Sequence, residues 1–193
     1  MSVGFKNLIG SRRSALRNIA GIEQNTKYAH FSDGLQSYKR RIQDDLYAQC
    51  KRIIDIIEKS IMDKAAENPE SKAFFEKMIA DYYRYIAESA SDDRLDEVSD
   101  MALKYYEQAR VTGNALESFN PIRLGLALNY SVFYFEVRKN KEKACEIAQQ
   151  ALNDSEGTIE QADEDTYRDS KGIIDLLTEN LELWKEEDAE GDN

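Results

Sequence analysis

Histidine, cysteine and proline are all scarce in this chain, and each scarcity excludes something. The one histidine, His30, lies in a polar connection over residues 25–32. Schemes that need imidazole as a general base therefore lack their usual residue. Cys50 and Cys145 stand alone and, with His30, cannot complete a zinc cluster. Two lone cysteines fit a reduced, cytosolic compartment. Only two prolines and nine glycines interrupt the chain, so long helices are allowed. No run of about eighteen apolar residues exists, so no membrane span is expected, and residues 1–6 carry no signal-peptide pattern. His-Glu-x-x-His, a phosphate-binding glycine loop and a Ser/His/Asp set are all missing. The expectation is a protein that is not an enzyme, with no catalytic residues, no metal and no cofactor. Basic charge is short as well: 26 Lys and Arg face 37 Asp and Glu, a formal net charge of −11. A net acidic chain is a poor general nucleic-acid binder.

What the chain does have is helical periodicity. No segment alternates with period two and β-branched runs are absent, so strands are not expected. A chain of 193 residues with 41% hydrophobic content can bury one substantial core. The stretch from Asn120 to Arg138 is the most informative. Asn120 is a good N-cap and Pro121 suits the first helical position. The run that follows is apolar on nearly every side, which predicts a helix covered all round. It nevertheless keeps Asn129 and Glu136 seven residues apart, on one stripe with Gly125 and Val132. Such a stripe fits a groove; simple bonding to neighbouring helices is the commoner fate of buried polar groups.

The remaining helices follow in order. Residues 1–24 form the first, with Val3, Leu8, Leu16 and Ile19 on an apolar side. Lys6, Arg13 and Arg17 fall within about 20° of one line on it. Three cations on one stripe either spread into solvent or are held for an anion. Asp33 and Gln36 suggest a capping box for the second helix, which runs to about Met62. Asn68-Pro69 opens a third, which carries Asp81-Tyr82-Tyr83-Arg84-Tyr85. Ser91-Asp92-Asp93 precedes a fourth, stopped by Gly113-Asn114. Asn120 opens the fifth. Lys139-Asn140 breaks into a sixth, and Asp163 starts the seventh. The fold class is all-α: an antiparallel array of about seven helices with short loops. Residues 1–184 read as one domain and 185–193 as a disordered acidic tail.

The stretch from Asn120 to Glu136 resembles the signature helix of the 14-3-3 proteins, a family of phosphopeptide-binding adaptors. So does Tyr82-Tyr83-Arg84-Tyr85-Ile86-Ala87-Glu88. Ser2-Val3-Gly4-Phe5-Lys6-Asn7-Leu8-Ile9-Gly10-Ser11-Arg12-Arg13 looks like the start of the family's third helix. Tyr167-Arg168-Asp169-Ser170 and Glu179-Asn180-Leu181-Glu182-Leu183-Trp184 look like its last. The motifs come in the family's order and cover the chain from Met1 to about Trp184. The resemblance implies a concave groove lined by the first, third, fifth and seventh helices. It implies phosphate binding by Lys6, Arg13, Arg84 and Tyr85. It implies peptide contacts at Lys77, Leu128, Asn129, Val132, Glu136, Ile173, Leu176, Asn180 and Trp184, with Asn129 and Asn180 holding the peptide main chain. Glu136 and Trp184 would close the far end, by a Glu-to-indole bond or by contact with the peptide.

The implied function is an adaptor for phosphoserine or phosphothreonine peptides that regulates client proteins in signalling, in the cytoplasm, without nucleic acid or membrane as partner. The alternatives are a helical interaction module indifferent to phosphate, or a shortened product with impaired folding. The family begins with two further helices that have no counterpart in this sequence, so impaired dimerisation is expected. Gly172 stands where the family has a leucine of the groove's apolar wall, and Ala80 replaces a glycine beside the phosphate site.

Overall fold

The computed structural model describes residues 3–191, with side chains described except at residues 3–6, 29, 92–93 and 187–191. Eight α-helices and no strand occur among the described residues. They are α1 (Val3–Glu23), α2 (Ser32–Ser60), α3 (Met62–Ala65), α4 (Pro69–Ala87), α5 (Asp92–Gly113), α6 (Pro121–Glu136), α7 (Lys141–Ser155) and α8 (Glu164–Gly191). The array is antiparallel, as short connections require. The seven expected helices are present, and α3 is a single extra turn offset from the end of α2.

The helix starts obey local chemistry. Asn68 Oδ1 accepts from the Ser71 N–H at 3.0 Å, with Pro69 just inside α4. Asn120 Oδ1 accepts from the Ile122 N–H at 2.8 Å, with Pro121 just inside α6. Asn140 and Asp163 do the same for α7 and α8. Each bond satisfies one of the donors that a helix leaves free at its start. Between α6 and α7, Lys139 adopts a left-handed backbone (φ 52°), which turns the chain sharply before Asn140.

The expected capping box of α2 does not form. A 3₁₀ turn over Thr26–Phe31 runs directly into the helix, the N-cap is Phe31, and no side chain caps it. Gln36 instead donates to Glu23 at 2.8 Å, tying the start of α2 back to the end of α1. At the other end of the chain, α8 continues helical past Trp184 to Gly191. Lys, Glu and Ala in that stretch are good helix formers.

Two apolar cores are joined by α6. The larger gathers Ile9, Leu46, Ile53, Ile57, Ile79, Val98 and Tyr106 from α1, α2, α4 and α5. The smaller gathers Leu124, Ala144, Ala148, Leu177, Leu181 and Trp184 from α6, α7 and α8. Helix α6 gives Leu126, Tyr130 and Phe133 to the first and Leu124, Leu128 and Val132 to the second. This is why its sequence is apolar on nearly every side: it is packed from both. Tyr106 and Tyr130 stack with centroids 5.1 Å apart, and Tyr106 lies 5.4 Å from Phe133. Offset aromatic pairs of this kind contribute about 0.5–1.5 kcal/mol beyond their area.

Candidate peptide-binding face

Four helices present the expected site residues, and specific contacts fix their order. Arg13 of α1 reaches Glu88 at the end of α4. Asn129 of α6 reaches Asp81 of α4. A side chain at Gly125 of α6 would touch Lys77 of α4 at 3.7 Å and Ile173 of α8 at 3.9 Å. These are ordinary van der Waals distances, and they place α6 between α4 and α8 at this point. The sequence α1–α4–α6–α8 is the order in which the expected site residues are displayed.

The polar part of this face is centred on α4, where helical spacing already brings charges together. Lys77 and Asp81 are four residues apart, as are Arg84 and Glu88. Asp81 is buried, 7% exposed, and collects three donors and a second cation. Lys77 Nζ donates at 2.9 Å, the Tyr106 hydroxyl at 2.7 Å, and Asn129 Nδ2 at 2.9 Å to each carboxylate oxygen; Arg84 Nη2 stands 3.7 Å away. Burial alone would raise the acid's pKa; the Lys77 and Arg84 cations and the Tyr106 bond outweigh it and hold the carboxyl below its ordinary range.

Arg84 is 6% exposed. Its Nε donates to the Tyr106 oxygen at 3.0 Å and its Nη1 to Glu88 Oε1 at 2.8 Å. Burial opposes its charge, but Tyr106, Asp81, Tyr85 and Glu88 more than offset this and raise its pKa. Arg13 meets the same Glu88 in a two-pronged bridge, Nε to Oε2 at 2.8 Å and Nη2 to Oε1 at 2.9 Å. Both guanidinium groups also cover the Tyr85 ring, Arg13 at 4.0 Å from its centroid and Arg84 at 4.8 Å. Burial and Asp81 raise the Tyr85 pKa above its ordinary value despite the two arginines, so its hydroxyl remains a donor. Lys6 lies on α1, but its side chain is outside those described.

The apolar part lies on α6 and α8. Leu128, Val132 and Ile173 pack partly into the smaller core, and Leu176 stands 49% exposed. A Cβ at Gly172 would meet nothing within 4 Å, so open space replaces a side chain there. Asn180 is half-buried and carries no side-chain hydrogen bond among the described residues. The expected Glu136–Trp184 bond is absent among the described residues. Trp184 is buried and stacks on Phe135 at 4.8 Å, while Glu136 is exposed. The indole is a core group whose flat face fits Phe135 better than a solvated carboxylate does.

The chain matches the model of the 14-3-3 protein family over residues 1–185. The chain belongs to the 14-3-3 family. Among similar proteins, 14-3-3 protein 3 of Entamoeba histolytica is 41% identical over 98% of this chain and 80% of its own length. The 14-3-3 protein zeta of Bombyx mori is 39% identical over all of this chain and 78% of its own length. The 14-3-3-like protein GF14 epsilon of Arabidopsis thaliana is 39% identical over all of this chain and 77% of its own length. Membership in the 14-3-3 family supports a protein-binding adaptor role. No helix of the described residues is long and apolar enough to cross a membrane, and no cluster of metal-ligating side chains occurs among them.

Arg13, Arg84 and Tyr85 meet in one place, and Lys77 and Asn129 adjoin them through Asp81. Two partners escaped the sequence reading. Glu88 had a signal, its four-residue spacing from Arg84. Tyr106 had none, because α5 brings it to α4 only in the folded chain.

Proposed function

We propose that this 14-3-3 protein binds an extended peptide carrying phosphoserine or phosphothreonine, with the phosphate held by Lys6, Arg13, Arg84 and Tyr85. The observation that carries the reading is the convergence of Arg13 and Arg84 on one carboxylate and one tyrosine ring. Two guanidinium groups that share an acceptor oxygen are already positioned to share a phosphate. A guanidinium has five N–H donors. Arg13 uses two on Glu88, and Arg84 uses one on Glu88 and one on Tyr106. Donors therefore remain for a group with about −1.5 to −2 charges and three acceptor oxygens. Asp81 and Glu88 hold the cations in place beforehand, which reduces the ordering needed on binding.

Asn129 Nδ2 lies 2.9 Å from both Asp81 carboxylate oxygens, a forked contact that one N–H serves, so its carbonyl oxygen and second N–H are left for the peptide main chain. Asn180, with no side-chain bond among the described residues, offers both carbonyl and amide. Leu128, Val132, Ile173 and Leu176 supply the apolar wall for neighbouring residues. A peptide without phosphate brings no anionic oxygens to the remaining arginine donors, and gains little from them.

Calorimetric titration of one peptide with and without its phosphate tests this. The phosphorylated form should bind far more tightly. Arg13→Ala should weaken it by roughly thirtyfold or more, as for truncation of a desolvated charge pair. Lys139→Ala, outside the site, should change little. Equal affinity for the two peptides would leave a helical interaction module indifferent to phosphate.

A further inference from the structure

Beside the proposed phosphate site, a second cavity of about 460 Å³ opens between α1, α2 and the end of α4. It shares Arg13, Tyr85 and Glu88 with that site. Its remaining charged lining is Arg17, Lys39 and Arg40. Four cations therefore face one carboxylate, on a chain whose formal net charge is −11. Glu88 is already taken up by Arg13 and Arg84. Lys39 donates to Glu23 at 2.8 Å, outside the cavity lining. Arg17 and Arg40 are exposed and form no ion pair with any described residue. The floor is apolar, with Leu16 and Leu46 buried beneath it. A concave wall of one sign over a low-dielectric floor strengthens the local field and attracts the opposite charge.

We infer that this cavity takes a second anionic group from the same peptide, a phosphate or a carboxylate about two residues from the phosphoresidue. The inference rests on the proposed phosphopeptide reading and adds a sequence preference to it. The spacing follows from geometry. Arg13 and Arg17 are one helical turn apart, an advance of about 6 Å along α1. An extended peptide advances about 3.3 Å per residue. For a peptide that lies along α1 at this point, two residues carry a second group from Arg13 to Arg17 and Arg40. Arg17 and Arg40 lie on different helices, so they approach that group from two sides. Both can present a planar fork to its oxygens.

The test uses a phosphoserine peptide and four derivatives. Two carry a second phosphoserine, two residues before or two residues after the first. Two carry aspartate at those positions. Binding is measured to wild type, to Arg40→Glu and to Arg17→Ala. One of the doubly phosphorylated peptides should bind roughly three- to tenfold more tightly than the parent, the scale expected when partly exposed ion pairs form. The gain should vanish in Arg40→Glu and shrink in Arg17→Ala, and fall at high salt. Because the cavity shares Arg13 and Tyr85 with the first site, the gain is read as the ratio of derivative to parent affinity within each variant. An equal gain from aspartate would identify general acidic recognition; a gain from phosphate alone would identify a second phosphate pocket. No gain from any derivative, or a gain that survives Arg40→Glu, would overturn the inference while leaving the first site intact. Failure of the parent phosphopeptide to bind better than its unmodified twin would instead bring down the reading beneath it, and this inference with it.

Discussion

The two halves of the proposed peptide-binding face are built on opposite plans. Where α1 meets α4 the central charges hold one another: Asp81 is held by Lys77, Tyr106 and Asn129, and Glu88 by Arg13 and Arg84. On α6 and α8 the side chains have less to hold them: Leu128, Val132 and Ile173 rest partly on core, Leu176 is half exposed, and Gly172 fronts open space. The difference teaches where stability and recognition are coupled. In the polar half, removing one member strands others that are buried. In the apolar half, side chains can change with little cost to the fold. A face of this kind keeps its charged grip constant while its apolar wall is free to vary.

The most damaging way to probe the contrast is Asp81→Ala. It leaves Arg84 and Tyr106 buried without their common acceptor. Breaking a buried pair in this way typically costs about 3–5 kcal/mol. Urea unfolding should show a loss of that order, and a loss below about 1 kcal/mol would mean that the polar half is not mutually dependent.

Acid should expose the same coupling without mutation. The Asp81 pKa is depressed in the folded state, because Lys77, Arg84 and Tyr106 outweigh its burial. A depressed carboxylate stabilises the fold fully above the ordinary carboxylate range. That contribution is lost as pH falls through the folded pKa. Stability measured against pH should therefore drop steeply on the acid side, and Asp81→Asn should flatten that limb. An unchanged acid limb in the variant would place the sensitivity elsewhere.

The apolar half should respond weakly. Gly172→Ala adds a Cβ into open space on a helix, and should stabilise by up to about 1 kcal/mol. A melting temperature that falls would show that the position is less open than the structure has it. Leu176→Ala should leave stability within about 0.5 kcal/mol, because half of that side chain is exposed. It should still weaken phosphopeptide binding several-fold through lost apolar contact, on the order of 1 kcal/mol. If Leu176→Ala unsettled the fold as much as Asp81→Ala, the contrast between the halves would fail.

Local chemistry made most of the fold legible from sequence. Asn-Pro at residues 68–69 and 120–121 announced two helix starts, and both caps form. Apolar periodicity announced the helices because it is set by neighbours three and four residues away. The capping box at Asp33 was misjudged because the 3₁₀ turn before it uses the preceding residues differently. The cation stripe of α1 was legible, but its two fates were not. Arg13 is bridged to Glu88, seventy-five residues away, whereas Arg17 stays exposed. Asn129 is half-buried and bonds to Asp81 on a neighbouring helix, while Glu136 on the same stripe faces solvent.

Sequence alone determined the helices, their order and the residue types displayed along four of them. It could do so because helix periodicity and capping act within a few residues. Only the tertiary structure decided which charges cancel and which remain available. Tyr106 comes from α5 to sit between Asp81 and Arg84, and Arg40 comes from α2 to face Arg17 across a cavity. Those encounters depend on how whole helices pack, and no spacing within one helix encodes them.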